Sequence, residues 1–262
     1  MDLGLARRVA FVAAGSKGLG RAVAEALTAE GAAVAICARG REALEETAGA
    51  IQARGGRVHA VVADVSSDAD VARAIDEAER ALGPIDILLT NSGGPRAGRF
   101  ETLSPEDWDA AARVLLTSAV SFARAVLPGM RARRWGRILN VTSIAAKQPV
   151  DGLMLSNSFR AAVTAFGRTL ANEVASDGVT VNNLMPGYTR TERVVELSTH
   201  LAATEQTTPE AIVARWEAEI PMRRLGEPHE FGALVAFLAS ERAAYITGQS
   251  IAVDGGWIKG LM

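Results

Sequence analysis

The stretch Ala13-Ala14-Gly15-Ser16-Lys17-Gly18-Leu19-Gly20 decides the fold of this 262-residue chain. It stands between residues 9–13 and 21–30, which have the patterns of a buried strand and of an alanine-rich helix. Glycines at such a junction let the backbone approach a pyrophosphate, and the N–H groups that open the helix are free to bind the anion. A plain tight turn also uses glycines, but the position between first strand and first helix is where this mechanism works.

Strands and helices alternate along the rest of the chain. The predicted strands cover residues 9–13, 33–38, 58–63, 85–90, 137–141, 179–184 and 250–253, and the predicted helices cover 21–30, 41–54, 68–82, 104–133 and 156–176. Because the strands are apolar throughout, both faces of their sheet should be covered. We therefore predict an α/β fold, a Rossmann-type doubly wound parallel sheet with helices on both faces. It forms a single domain over 1–262, with a helical substrate lid at about 190–220.

Composition excludes several functional classes. The formal net charge is −2, whereas a nucleic-acid-binding protein needs a basic surplus. No uncharged apolar run approaches the roughly 18 residues of a membrane span, and residues 1–8 lack the long apolar stretch of a signal peptide. We expect a cytoplasmic protein without nucleic-acid or membrane partners. The single cysteine, Cys37, excludes an internal disulfide, and His59, His200 and His229 are isolated, so no metal site is predicted.

Polar or glycine-rich residues follow two further predicted strands. Asp64 and Val65 end the third strand, and Asn91-Ser92-Gly93 ends the fourth. Ligands of open α/β sheets bind at the carboxyl ends of the strands. Together with the glycine turn, these strand ends should line one crevice.

With these motifs the chain resembles the short-chain dehydrogenase/reductase family over essentially its whole length, and within it the 3-oxoacyl-acyl-carrier-protein reductases. Other shared motifs are Trp108, Leu127-Pro128, the run Gly136-Arg137-Ile138-Leu139-Asn140-Val141-Thr142-Ser143, Val181-Asn182, Pro186-Gly187, Ile246-Thr247-Gly248-Gln249 and Val253-Asp254-Gly255-Gly256. One departure lies in the glycine turn, where the family has glycine at the position of Ala14.

The resemblance implies a complete dinucleotide site. The diphosphate would bind at Gly15, Ser16, Lys17, Gly18, Leu19 and Gly20, the adenosine at Asp64, Val65, Asn91 and Gly93, and the nicotinamide end at Arg160, Pro186, Gly187, Thr189 and Thr191.

Charges near the second strand favour one of the two nicotinamide cofactors. An acidic residue at the end of that strand would bind the ribose 2′-hydroxyl and repel a 2′-phosphate. Here the strand ends in Ala38-Arg39, and Arg39 offers a guanidinium to a phosphate. Lys17 could add a second charge. We predict that NADP(H) is preferred and NAD(H) is possible; the alternative is that both cations are simply solvated.

The catalytic positions depart most from the family. Ser143 matches the family serine that orients the substrate oxygen. Ser156 stands thirteen residues later, where the family has tyrosine, and Arg160 stands four residues further on, where it has lysine. Leu115 replaces the asparagine of the proton relay. Arg160 can bind ribose and stabilise an alkoxide, but Ser156 is a poor general acid. The proton could come from Lys147, from Tyr188 or from water.

Three functions remain open. The first is an NADP(H)-dependent oxidoreductase that acts on a carbonyl or alcohol, resembles the 3-oxoacyl reductases and has an altered proton relay. The second is a catalytically silent dinucleotide-binding protein. The third is non-redox chemistry of the kind that halohydrin dehalogenases perform on this fold. Arg96 and Arg99, near the expected mouth, could bind an acidic substrate or simply be solvated. Family members pack the long helix and the helix at 156–176 against partner subunits, so the resemblance implies a small-molecule enzyme that is a homotetramer or homodimer. The second helix has small and apolar residues for such packing: Ala161, Ala162, Val163, Ala165 and Phe166.

Overall fold

The computed structural model describes residues 2–261 and places seven parallel strands in one sheet, in the order β3-β2-β1-β4-β5-β6-β7. The strands are β1 Val9–Val12, β2 Ala33–Ala38, β3 Val58–Val62, β4 Ile87–Thr90, β5 Gly136–Val141, β6 Val179–Pro186 and β7 Ser250–Val253. The predicted doubly wound parallel sheet is confirmed. The order reverses between β1 and β4, where ligands of such sheets bind.

Eight α-helices surround the sheet in the described residues. They are α1 Gly18–Ala29, α2 Arg41–Ala53, α3 Asp68–Leu82, α4 Pro105–Arg133, α5 Met154–Val174, α6 Glu192–Glu205, α7 Pro209–Glu219 and α8 Pro228–Ala239. The helix α8 is absent from the predicted elements. It has proline at its first position and a capping box between Glu227 and Glu230, and it packs against α1.

Both faces of the sheet carry an apolar core. On one face α1, α2 and α8 contribute residues such as Leu27, Leu44 and Phe231. On the other face α3, α4 and α5 contribute residues such as Ile75 and Phe122. Successive side chains of most strands alternate between these two cores, which explains why apolar residues occupy both faces of these strands.

The helix α4 is long and apolar enough, by length and composition alone, to span a membrane. Its Phe122, Val126 and Met130 are buried in the core against the sheet, as expected of a core helix. A π-helical turn, Ala112–Thr117, interrupts it. Such turns are frequent at functional sites, and this one lies beside α5.

The segment predicted as a lid forms α6 and α7. Gln206, with φ 53°, ends α6, and the Thr208 side chain caps α7. A third apolar cluster joins this helix pair to the rest of the molecule through Trp216, Ile144 and Trp257. The role of the pair as a lid stays a prediction.

Candidate active site

The glycine turn between β1 and α1 is shaped by two glycines without room for a side chain and by a strained alanine. A Cβ on Gly20 would lie 2.1 Å from the carbonyl oxygen of Ala14, and a Cβ on Gly15 would lie 2.9 Å from Ile36. Ala14 itself has φ 49°, in the left-handed region that favours glycine. The turn has therefore kept the backbone geometry of a glycine at this position, and Ala14 occupies it under strain.

The first turn of α1 offers an anion cradle. Lys17 occupies the N-cap position and provides no side-chain cap. The N–H groups of Gly18, Leu19 and Gly20 have no hydrogen-bond acceptor within residues 2–261. Free N–H groups at a helix N-terminus bind phosphate. This cradle, with glycines where a Cβ would intrude, fits the diphosphate of a dinucleotide.

Asp64 and Arg39 face each other at the ends of β3 and β2. The N–H and then the hydroxyl of Ser66, both donating to the carboxylate, lower the pKa of Asp64, and the nearby charge of Arg39 lowers it further. Arg39 is exposed and forms no ion pair or hydrogen bond in the described part of the chain. Its guanidinium is available to a phosphate beside the adenosine site. Val65 is half-buried next to Asp64.

The structure gives Lys17 another partner than the one predicted. Its Nζ lies 2.9 Å from a carboxylate oxygen of Glu192, the first residue of α6. The hydrogen bond and the charge of Glu192 raise the pKa of Lys17. Lys17 therefore bridges the glycine turn and the predicted lid, rather than pointing at the site beside Arg39.

The predicted nicotinamide end lies after β6. The N–H of Gly187 donates to Val253, and a Cβ on Gly187 would lie 2.8 Å from Asp254. Thr189 is buried, its hydroxyl donates to the Gly187 carbonyl, and Thr191 donates to that of Thr189. Thr191 also contacts Gly18, while Gly93 and the half-buried Asn91 lie after β4. Pro186 is the last residue of β6. The residues after β6 and those after β4 therefore lie at the same edge of the parallel sheet, where the carboxyl ends of the strands form a crevice.

The Ser143 hydroxyl follows β5 and accepts a hydrogen bond from the N–H of Ala145, at 3.1 Å. Its own proton has no acceptor in the described residues. Ser156 lies in the first turn of α5, half-buried, and its hydroxyl likewise forms no hydrogen bond within residues 2–261. Both hydroxyls are therefore available to a substrate oxygen.

Arg160 is the buried cation of the site. Its Nη1 donates to the carbonyl oxygen of Val141, the last residue of β5, at 2.6 Å. Among residues 2–261 no carboxylate forms an ion pair with it. Burial, with a smaller contribution from the charge of Arg193, lowers the pKa of Arg160 to about 10. It is thus still cationic at neutral pH, and its charge is not compensated by the protein.

Leu115 lies in the π-helical turn and is 2% exposed. The side chain at this position is buried and apolar, so it offers no hydrogen-bonding group for a proton relay. The structure also argues against Tyr188 as proton donor: its ring stacks on Trp216 at 4.5 Å, and burial raises its pKa to about 12. Lys147 is exposed at the end of the short helix after Ser143.

Two residues of the site escaped the sequence analysis. Asn157 donates to the carbonyl of Val150 and accepts from its N–H, which fixes the loop between Ser143 and α5. Arg193 crosses from α6 to Gly94 after β4 and donates to Pro95. The Asn157 contact spans 7 residues and the Arg193 contact spans 98, and no sequence motif marks either of them. Conversely, Arg96 forms an ion pair with Asp107 at 2.6 Å and is not free for a substrate.

The fold and these residues define a dinucleotide-binding α/β protein. A family model described as enoyl-(acyl carrier protein) reductase matches residues 13–258. The acetoacetyl-CoA reductase of Shinella zoogloeoides is 36% identical over 249 residues, covering 95% of this chain and 98% of the relative. The 3-oxoacyl-(acyl-carrier-protein) reductase FabG of Pseudomonas aeruginosa is 34% identical over 254 residues, with 97% and 98% covered.

Among solved structures, L-sorbose reductase from Gluconobacter frateurii, complexed with NADPH and L-sorbose, has a TM-score of 0.94 and 33% identity, with 100% of both chains covered. The chain belongs to the short-chain dehydrogenase/reductase family, as its sequence motifs predict.

Proposed function

We propose that this protein is an NADP(H)-dependent carbonyl reductase of the short-chain dehydrogenase/reductase family that works without the usual tyrosine and lysine. The observation that supports it most is Arg160, a buried cation without a carboxylate partner in the described residues, whose guanidinium binds the end of β5 near Ser143 and Ser156, two hydroxyls whose protons have no acceptor there. Reduction of a carbonyl creates negative charge on its oxygen, and such an arrangement stabilises that charge.

The cofactor assignment rests on three features. The free N–H groups at the start of α1 suit a diphosphate, and Asp64 suits the adenosine. The unpaired Arg39 suits a 2′-phosphate, which favours NADP(H) and leaves NAD(H) as a weaker ligand. The relative complexed with NADPH supports the same choice. When bound, the reduced cofactor supplies a hydride to the carbonyl carbon.

The remaining steps fall to residues of this chain. Ser143 donates a hydrogen bond to the substrate oxygen and orients it. Ser156 provides a second hydroxyl, but it is too weak an acid to be the proton source by itself. Arg160 stabilises the developing alkoxide. Water or Lys147 then delivers the proton, since Tyr188 is engaged in the cluster around Trp216.

A catalytically silent dinucleotide-binding protein is the second candidate. It is favoured by Leu115, which is buried and has no polar group for a proton relay. The third candidate, non-redox chemistry, is the weakest, because halohydrin dehalogenases lack the nucleotide-binding glycine turn, whereas this chain has a diphosphate cradle there. Titration with NADPH and NADH, followed by measuring NADPH oxidation with acetoacetyl-CoA and simple ketones, separates the first two. Binding without turnover across the panel supports the silent protein.

A double change of Ser156→Tyr and Arg160→Lys tests the altered relay. If the native relay is a weakened form of the usual one, turnover rises. If Ser156 and Arg160 belong to a different relay, turnover falls. Ser158→Ala is the matched control, because Ser158 lies on the same helix and only donates to the Met154 carbonyl.

We also propose that the protein is a homo-oligomer, a tetramer or a dimer. The outer face of α5 exposes Ala161 and Ala165, small residues that suit close helix packing, whereas Val163, expected at that interface, is buried in the protomer's own core. Light scattering of Ala161→Glu against the wild type tests the proposal, since a charge there should dissociate the oligomer.

A further inference from the structure

Arg193 brings a second positive charge to the crevice. A Cβ on Gly94 would lie 2.6 Å from its Nε and 2.8 Å from its Nη2, so the guanidinium lies directly on the Gly94 backbone. Its Nη2 also donates to the Pro95 carbonyl at 3.1 Å. The side chain starts in the first turn of α6 and so spans the crevice from the predicted lid to the loop after β4.

The side chains of Arg193 and Arg160 reach the ends of two neighbouring strands. Arg193 reaches the loop after β4, and Arg160 binds Val141, the last residue of β5. The strands β4 and β5 are neighbours in the sheet, with Thr90 paired to Asn140. Their charges act on each other, since Arg193 contributes to the lowered pKa of Arg160. Like charges repel, and an anion bound near both guanidinium groups would remove this repulsion.

The carboxylates nearby leave this charge largely uncompensated. Arg160 has no acidic partner in the part of the chain that the structure describes, and the one carboxylate near Arg193 is Glu196, exposed and 3.6 Å away. Ser143 follows Val141, the residue that Arg160 binds, by two residues, so a substrate oxygen bound by Ser143 would lie at the same strand end as Arg160, with Arg193 at the neighbouring strand end. A substrate that carries an anionic group next to its carbonyl would fill the gap.

We propose that the substrate is an oxo acid, a ketone with a free carboxylate one or two carbons from the carbonyl, and that Arg193 binds this carboxylate. The inference rests on the proposed reductase function and narrows its substrate class. Planar guanidinium groups bind carboxylates through two parallel hydrogen bonds, which suits a small acid better than a neutral sugar or ester. Arg193 is then a specificity-determining residue and not part of the hydride or proton transfer.

The test compares acids with their esters. Acetoacetate and phenylpyruvate are each paired with the ethyl ester, and two measurements are made for the wild type, Arg193→Gln, Arg193→Lys and Glu196→Gln. One is the kcat and KM of NADPH oxidation. The other is binding of each compound to NADP⁺-loaded protein by calorimetry. The Kd for NADPH is measured on every variant.

At least one acid should be preferred over its ester by roughly tenfold or more, and Arg193→Gln should abolish the preference by raising KM for the acid alone. Arg193→Lys should restore part of it, and Glu196→Gln should strengthen acid binding. Equal affinity for acid and ester, or no binding of either acid, overturns the proposal. So does an Arg193→Gln variant that weakens NADPH binding and leaves the acid preference intact, because Arg193 would then serve the cofactor.

The two measurements separate this proposal from the reductase function. Acid-selective binding without turnover would contradict the reductase function and support the carboxylate site. Turnover of ketones without any acid preference would support the reductase function and contradict the carboxylate site.

Discussion

Replacement of Arg160 by methionine should stabilise the cofactor-free protein. The pKa of Arg160 falls from its usual value to about 10 because the side chain is buried. Since one pKa unit corresponds to about 1.4 kcal/mol, the charged form costs on the order of 3 kcal/mol in the folded state. Loss of the hydrogen bond to Val141 offsets roughly 1–2 kcal/mol of this gain. A net stabilisation of about 1–2 kcal/mol remains, as found when buried charges are replaced by apolar side chains.

The pH dependence has a definite sign. A base whose pKa is lowered in the folded state destabilises the protein fully below that pKa, and the penalty disappears as the pH rises through it. The stability difference between Arg160→Met and the wild type should therefore be constant near neutrality and shrink from about pH 10 upward. Urea unfolding of the two proteins at a series of pH values measures it.

Arg168 provides the matched control for this experiment. It lies on the same helix and also donates to a backbone carbonyl, that of Gly248, but it is exposed. Arg168→Met should leave stability unchanged or lower it. If Arg160→Met instead lowers the stability of the cofactor-free protein by 1 kcal/mol or more, on the order of one lost hydrogen bond, the charge of Arg160 is compensated and the reasoning fails. Saturating NADPH should favour the wild type over the variant, since only the wild type offers the cation.

Three further predictions concern the cofactor site and its surroundings. Arg39→Ala should weaken NADPH binding by roughly 10- to 100-fold, the loss of charge-assisted hydrogen bonds, and leave NADH binding unchanged in the same titration; equal effects on both cofactors would contradict a role at the 2′-phosphate. Ala14→Gly should raise the free energy of unfolding by about 0.5–1 kcal/mol, because relief of the left-handed strain exceeds the entropy that glycine adds to the unfolded chain. Urea unfolding measures this change. The control is Ala13→Gly at the neighbouring buried residue, which is expected to lower the free energy of unfolding. Tyr188→Phe should keep the pH profile of kcat, and a large fall of kcat would restore Tyr188 as proton donor.

The sheet could be predicted because the run of apolar residues in a strand already indicates that both faces of that strand are buried. The run 33–38 is apolar on both faces and matches β2 residue for residue. Helix boundaries were less certain where local signals conflict: α1 starts at Gly18, three residues before its predicted start, because glycines that bind a phosphate look like the end of a turn. The helix α8 was missed although Glu227, Pro228 and Glu230 mark its start, since it is apolar over most of its surface and shows no clear periodicity.

The site could be predicted only in part, because its parts come from distant positions. Spacing in the chain sufficed to align Ser143, Ser156 and Arg160 with one another. Nothing local indicated that Lys17 would meet Glu192, 175 residues away, or that Arg193 would lie on Gly94. The sequence also offered no sign that Arg160 would be buried. Because it is buried without a counter-ion in the described residues, Arg160 differs from a simple replacement of lysine by another cation.

The same cation predicts the pH profile of the reaction. In the proposed relay, the group at the substrate oxygen with a resolved pKa shift is Arg160, which stays protonated until about pH 10. The serine hydroxyls do not titrate in the working range, so kcat/KM for a ketone should be nearly constant across neutral pH and fall only as Arg160 loses its proton. Arg160→Lys, measured over the same range, should move the fall with the pKa of the new amine. A midpoint near neutrality that survives in this variant would mean that a group other than Arg160 controls the reaction, and Lys147→Met would then show whether that group is Lys147.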